Sequence, residues 1–404
     1  MCKMKDFFLW KGAHDLAYAS SIASTWIWAP AIFVASSKAY YDGLWGFLMF
    51  LIPNILTLVF FAYFAKMVRE KTEGFTLVQA IESAGKNQKR LHLAVSLTVL
   101  ICSTCVQFLG LHLILSQWIV NSELVSAIIV SIMALLMVGK SGIKGSIQTD
   151  VVKYVVMFVC GLLLLFNTDG STINLVGHSG KSAGELWKTF GVATTIGLLS
   201  APYVDQTFWQ RVFSIDKEKV FKTFIMSAIL FGLIPLIFGL IGFYSGVGEV
   251  QVLFGNGILS GVLALCVLCA LLSTLDSNLC AISSIVCKEF GGSLAVGKLS
   301  MVALLLASSF LMILTDITIV ELFLIYGTIR TCVALPTILI ILDKYDKQRL
   351  FYATLATVLI APIGYLFGGE YNYLFTIMAL CLPILGFKNE TQQIELCKTG
   401  KKNW

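Results

Sequence analysis

Between Cys266 and Phe290 the chain reads CVLCALLSTLDSNLCAISSIVCKEF, and its chemistry lies in its oxygens. Ser273 and Thr274 are adjacent hydroxyls, and Asp276, Ser277, Asn278, Ser283 and Ser284 follow them. A run this long and otherwise apolar can cross a bilayer as a helix. Hydrocarbon offers such polar groups no partners. Two neighbouring side-chain oxygens, preceded by a small Ala270 that lets another backbone approach, suit a hard monovalent cation such as Na+. Helix–helix packing, where small and hydroxyl residues also collect, is the competing account.

Two other stretches can supply oxygens of a different kind. ASTWIWAPAIF places Pro30, and LLSAPYVDQTFWQR places Pro202, inside apolar segments. Proline has no N–H and obstructs the carbonyl four residues earlier. Each helix is therefore expected to break and free backbone carbonyls, which are ion ligands at mid-membrane. A harmless kink is the alternative for either proline alone. Both prolines open a five-span block, and that correspondence is the sequence pointer to a binding site between inverted repeats.

Membrane spans must carry these residues. Of the 404 residues 57% are hydrophobic and only 13% charged, against about 25% charged in an average soluble chain. Spans are expected at roughly 13 to 36, 43 to 66, 92 to 118, 122 to 139, 148 to 167, 190 to 208, 219 to 244, 256 to 287, 297 to 315, 317 to 342, 350 to 367 and 371 to 387, about twelve in all. With these boundaries about 24 of the 29 Lys and Arg residues, Arg211 among them, fall on one side, which is then cytoplasmic. The net charge of +6 follows from topology, and no nucleic-acid partner is implied. Met1 to Lys11 is short and charged, with no cleavable signal. The eleven Cys lie mostly in apolar runs and read as packing residues, neither metal ligands nor disulfides.

Span 1 then runs outward and span 6 inward, so 13–168 and 190–343 form two blocks of opposite orientation. A lead-in at 1–12, an outer loop at 169–189, two accessory helices at 344–387 and a cytoplasmic tail at 388–404 complete the division. An enzyme is not expected, because no metal-ligand cluster, nucleophile motif or phosphate-cradling glycine loop is present.

Four stretches carry a likeness across nearly the whole chain: KDFFLWKGAHDLAYASSIASTW, GIKGSIQTDVVKYVVMF, VDQTFWQRVFSIDKEK and, most specific, ALLSTLDSNLCAISS. The sequence resembles the sodium:solute symporters, a family that includes proline, glucose and urea transporters. The resemblance implies an all-α polytopic fold of leucine-transporter type, with five plus five inverted helices, and a sodium ion as co-transported partner. It implies a sodium site made of the carbonyls of Ala23, Trp26 and Ala270 and the hydroxyls of Ser273 and Thr274, with Asp150 on an ion path or at a second cation site. A charged residue inside a span is costly and marks function, unless Asp150 sits near the cytoplasmic end and reaches water. The urea and proline branch is the nearest, so a small polar solute, urea-like first, is the expected cargo. Trp28, Asn54, Gln107, Tyr203, Asp205 and Gln206 are then the residues that would touch it, although lipid contact or bonding to a neighbouring helix would serve Trp28 and Gln107 equally.

The chain also departs from the family. The motif's Trp is Gln148, its Gln is Lys153, and Thr25 stands where a polar Asn or Asp is usual. Lys153 shares a helix face with Asp150 and would take the place of a second cation, favouring one-ion coupling. The family's usual preceding helix is not found ahead of the lead-in, as in either a compact natural form or a truncated one, and both termini are then expected in the cytoplasm of a multi-pass plasma-membrane protein. Arg330 has no evident partner, since Glu321 is more than two turns away. A passive facilitator and a transporter-like sensor are the rival classes.

Overall fold

The computed structural model describes residues 6–139, 141–168, 170, 172–254 and 257–388. Residues 1–5 of the lead-in and 389–404 of the tail lie outside them. All twelve expected spans contain helix. Among the described residues eight helices are long and apolar enough to cross a membrane, and the 17-residue Ser122–Val138 is a shorter apolar helix.

Both broken helices break. Span 1 runs over Asp15–Trp26, passes through extended Ile27 and Trp28, and resumes at Ala29. Pro30 lies in the first turn of the outer half, where its missing N–H costs nothing within that helix, so the break falls just before the proline. Span 6 comprises Val192–Ser200, a 3-10 turn over Ala201–Tyr203 with Pro202 in it, and Gln206–Ser214. It therefore extends past the expected 208 and carries Gln210 and Arg211 into the core.

The expected loop between spans 1 and 2 does not exist. Helix runs from Ala29 to Lys71 with one non-helical residue, Gly43 at φ 62°. A Cβ there would lie 2.4 Å from the Leu175 carbonyl oxygen, so only glycine allows the corner and the loop packed on it. The twelfth span is shorter than expected: helix Asn372–Cys381 gives way to a 3-10 stretch, Leu382–Gly386, at Pro383.

The packing repeats itself with five added to each span number. Span 1 packs on span 5 as 6 does on 10, and span 1 on 7 as 6 does on 2; spans 3 and 10 meet as 8 and 5 do, and spans 4 and 8 as 9 and 3 do. An inverted repeat of two five-span blocks has this contact pattern. Spans 1, 6 and 8, flanked by 3 and 10, thus enclose the two helix breaks.

Candidate functional site

At the break in span 1 helices 1 and 8 touch. Thr274 Oγ1 lies 3.0 Å from the Thr25 carbonyl and 3.4 Å from that of Ala270, and Thr25 Oγ1 is 3.0 Å from Ser277 Oγ. The Trp26 carbonyl would accept from residue 30 in an unbroken helix, but Pro30 has no N–H to give. The Ala23 carbonyl, expected to be free, still accepts from Ile27 N–H at 2.8 Å. It keeps one lone pair, since a carbonyl has two. Ser273 and Thr274 are both buried and face protein rather than lipid.

Ser273 leads directly into a buried charge network. Its hydroxyl donates to Asp150 Oδ1 at 2.7 Å, while Ser21 donates to Oδ2 at 2.6 Å and Arg211 Nη2 approaches Oδ2 at 3.1 Å. Lys153 Nζ is 3.4 Å from Asp150 and 2.5 Å from Asp276, which also accepts from Ser146 at 2.8 Å. Arg211 further donates to Ser277 at 2.7 Å and to the Thr207 carbonyl at 3.1 Å, tying span 6 to spans 1, 5 and 8. Two carboxylates, one ammonium and one guanidinium balance. Asp150 is fully buried, which argues against the alternative of a water-reaching helix end. Arg211, also fully buried, is no surface cation and leaves the cytoplasmic charge bias.

Nearer the level of the breaks, a second charged pair spans the molecule. Arg330 Nη2 on span 10 donates to Asp205 Oδ2 at 2.7 Å in the span 6 break. Around them lies a small cavity of about 20 Å³ lined also by Trp26, Trp28, Asn278 and Phe208, roughly the room one water needs. The guanidinium lies 4.2 Å from the Tyr326 ring and 6.0 Å from that of Trp28. Glu321 is engaged elsewhere, in a capping box with Thr318.

A wide vestibule of about 820 Å³, lined among others by Phe33, Leu109, Glu123, Glu249, Asp316 and Ile319, opens at one end of the bundle. Ile319 and Arg330 are eleven residues apart on one helix, or about 16 Å. Between them Trp28 packs edge-on against Phe323 at 5.2 Å and Tyr326 at 5.7 Å.

Of the six expected solute contacts, Trp28 and Asp205 line that cavity and the other four do not. Gln107 Oε1 accepts from Ala29 N–H at 3.2 Å, capping the outer half of span 1. Gln206 bonds the Phe75 carbonyl, Leu77 N–H and Ser284, pinning the connection between spans 2 and 3. Asn54 donates to the Phe50 carbonyl at 2.8 Å, and Tyr203 packs edge-on against Phe61 and Phe64. Gln107 and Gln206 are thus taken by nearby protein partners, whereas Asn54 Oδ1 is left without a hydrogen-bond partner away from that cavity. Arg330, Arg211, Ser21 and Ser277 escaped sequence reading as site residues. Their one signal was charge or hydroxyl placed within or beside an apolar span.

Neither a protein-family profile nor a curated protein matches the sequence. The fold does match solved structures. A Na+-coupled sialic acid symporter, in a substrate-bound outward-open state, superposes with a TM-score of 0.77 at 17% identity, covering 95% of this chain and 91% of that one. Mhp1, a nucleobase-cation-symport-1 family transporter in a closed conformation with bromovinylhydantoin bound, gives 0.65 at 14% identity, covering 96% and 94%. MhsT in complex with L-phenylalanine gives 0.59 at 14%, covering 92% and 99%. The fold is thus of the leucine-transporter type, and these neighbours are transporters rather than enzymes.

Proposed function

We propose that the chain is a Na+-coupled symporter that moves a small polar organic solute by alternating access. One observation carries this reading: the interrupted backbone of span 1 meets the Thr274 hydroxyl of span 8, next to Ser273, with a carbonyl deprived of its donor beside it. The ion would be held by the carbonyls of Ala23, Trp26 and Ala270 and the hydroxyls of Ser273 and Thr274. Because Ser273 gives its proton to Asp150, and Thr274 its own to a carbonyl, both oxygens keep lone pairs for a cation. A solved neighbour named as a Na+-coupled symporter favours the same ion.

Na+ joining span 1 to span 8 favours the outward-open state; solute then completes closure, and the two bundles rock. Lys153, clasped by Asp150 and Asp276, stands where a second cation would sit, so one Na+ per cycle is the reading. An inside-negative potential contributes about 2.3 kcal/mol per charge per 100 mV, enough for modest accumulation of a neutral solute. Positive-inside bias places both ends of the chain in the cytoplasm and turns the vestibule outward. Urea is the first cargo by sequence resemblance and proline the second.

Isotope uptake into proteoliposomes tests this, with urea, proline and sugars offered with and without a Na+ gradient. Ser273→Ala and Thr274→Ala should each raise the Na+ concentration for half-maximal uptake by about tenfold, the effect of losing about 1.4 kcal/mol. Wild-type Na+ dependence in both variants would refute the site. Flux indifferent to the gradient would make the protein a facilitator.

A further inference from the structure

We infer that the transported solute is a small zwitterion, its carboxylate taken by Arg330 and its ammonium by Asp205. This rests on the transport reading above and narrows its cargo, setting proline-like solutes ahead of urea. The inference starts from bonding capacity left unused in a buried space. Arg330 is 3% exposed, yet its Nε and Nη1 have no hydrogen-bond partner among the described residues. A guanidinium carries five N–H donors in a plane suited to a carboxylate, and here Nη2 is the one that meets Asp205. A buried donor without an acceptor calls for an explanation, and here the two donors belong to a residue that lines a cavity with a carboxylate beside it. Asp205 is 8% exposed and lines the same cavity, with Oδ2 toward Arg330.

Charge balance then selects among solutes. Arg330 and Asp205 together are neutral, so a singly charged solute would leave one charge uncompensated in a site with almost no water. A zwitterion adds equal and opposite charges and can part the pair while giving each member a new partner. Urea could bridge the two groups, but it brings no charge of its own, so neither ion gains a counter-ion for the one it loses when the buried pair is opened. Sugars have the same deficit. The walls agree with this choice. Trp26 and Trp28 stack at 6.0 Å between centroids and Phe208 packs edge-on to Trp26 at 5.2 Å, giving an aromatic surface beside Asp205 that favours an alkylated ammonium. With room for about one water, the cavity is contracted around the Arg330–Asp205 pair, and the solute enters by separating them.

The test is the thermal unfolding midpoint of the purified full-length protein, with and without Na+. The probes are the twenty common amino acids, glycine betaine and β-alanine, against urea, glucose, propionate and propylamine. Ligands that bind the folded state raise the midpoint. At least one zwitterion should raise it further in Na+, and urea, glucose and the singly charged analogues should not. Arg330→Lys should weaken the effective zwitterion at least tenfold. Arg330→Gln combined with Asp205→Asn removes both charges together, leaves no orphan ion, and should abolish the zwitterion effect; its Na+ response reports that it is folded. A zwitterion effect surviving in that double variant overturns the assignment to these two residues. A response to Na+ with only urea, sugar or singly charged solutes adding to it overturns the zwitterion class and leaves symport standing. A zwitterion response without any Na+ effect does the reverse, and no response to either overturns both.

Discussion

Lys153 does two things at once, because two acids on different helices share its ammonium. Asp150 lies one turn before it on span 5, and Asp276 reaches it from span 8. Removing one partner of a buried pair leaves a charge without solvation, at a cost of about 3–5 kcal/mol, whereas removing both is often close to neutral. Lys153→Met should therefore lower unfolding stability in detergent by about that amount, and adding Asp276→Asn should recover most of it. Equal stability of the single variant and wild type, by chemical denaturation, would dispose of the network as a structural clamp. Arg211 belongs to the same scale: its guanidinium bonds Ser21, Asp150, Ser277 and the Thr207 carbonyl, so an arginine just past a span boundary becomes a junction of the core.

The broken helices give the element scale its predictions. Pro30→Ala restores an N–H within reach of the Trp26 carbonyl and lets span 1 heal. That variant should fold, bind Na+ about tenfold more weakly by the same uptake measure, and show a longer helix. Unchanged Na+ dependence would mean that the break supplies no ligand. Where spans 6 and 10 cross, Gly197 faces Gly327, and a Cβ on Gly197 would come 2.9 Å from the Gly327 Cα. Backbones this close are how membrane helices pack without a hydrophobic drive. Gly197→Ala forces them apart and should cost about 1–3 kcal/mol, seen as a lowered melting temperature. The crossing also holds Arg330 opposite Asp205, so solute response should weaken with it.

Across the whole molecule the vestibule and the charge bias make one statement about direction. Glu123, at the vestibule, and Lys217, in the connection between spans 6 and 7, belong to opposite faces. In intact cells Glu123→Cys should react with a membrane-impermeant thiol reagent, and Lys217→Cys should react only after permeabilisation, each read as the increment over wild type because Cys381 is exposed. The opposite pattern would invert the protein and turn the vestibule toward the cytoplasm.

Span number, the two proline breaks, the hydroxyl pair and the inverted repeat were legible in the sequence, because hydropathy and proline act on their own stretch of chain whatever surrounds it. The partners of Arg330, Arg211 and Lys153 were not. Asp205 lies 125 residues from Arg330, and Asp276 lies 123 from Lys153, separations that no helical period relates. Gln206 and Gln107 had the right chemistry for a solute, yet the fold spends them on a connecting segment and a half-helix cap. Which polar side chain faces a cavity and which is consumed by its neighbours is fixed when the helices pack, since only then does each buried donor meet, or miss, its acceptor.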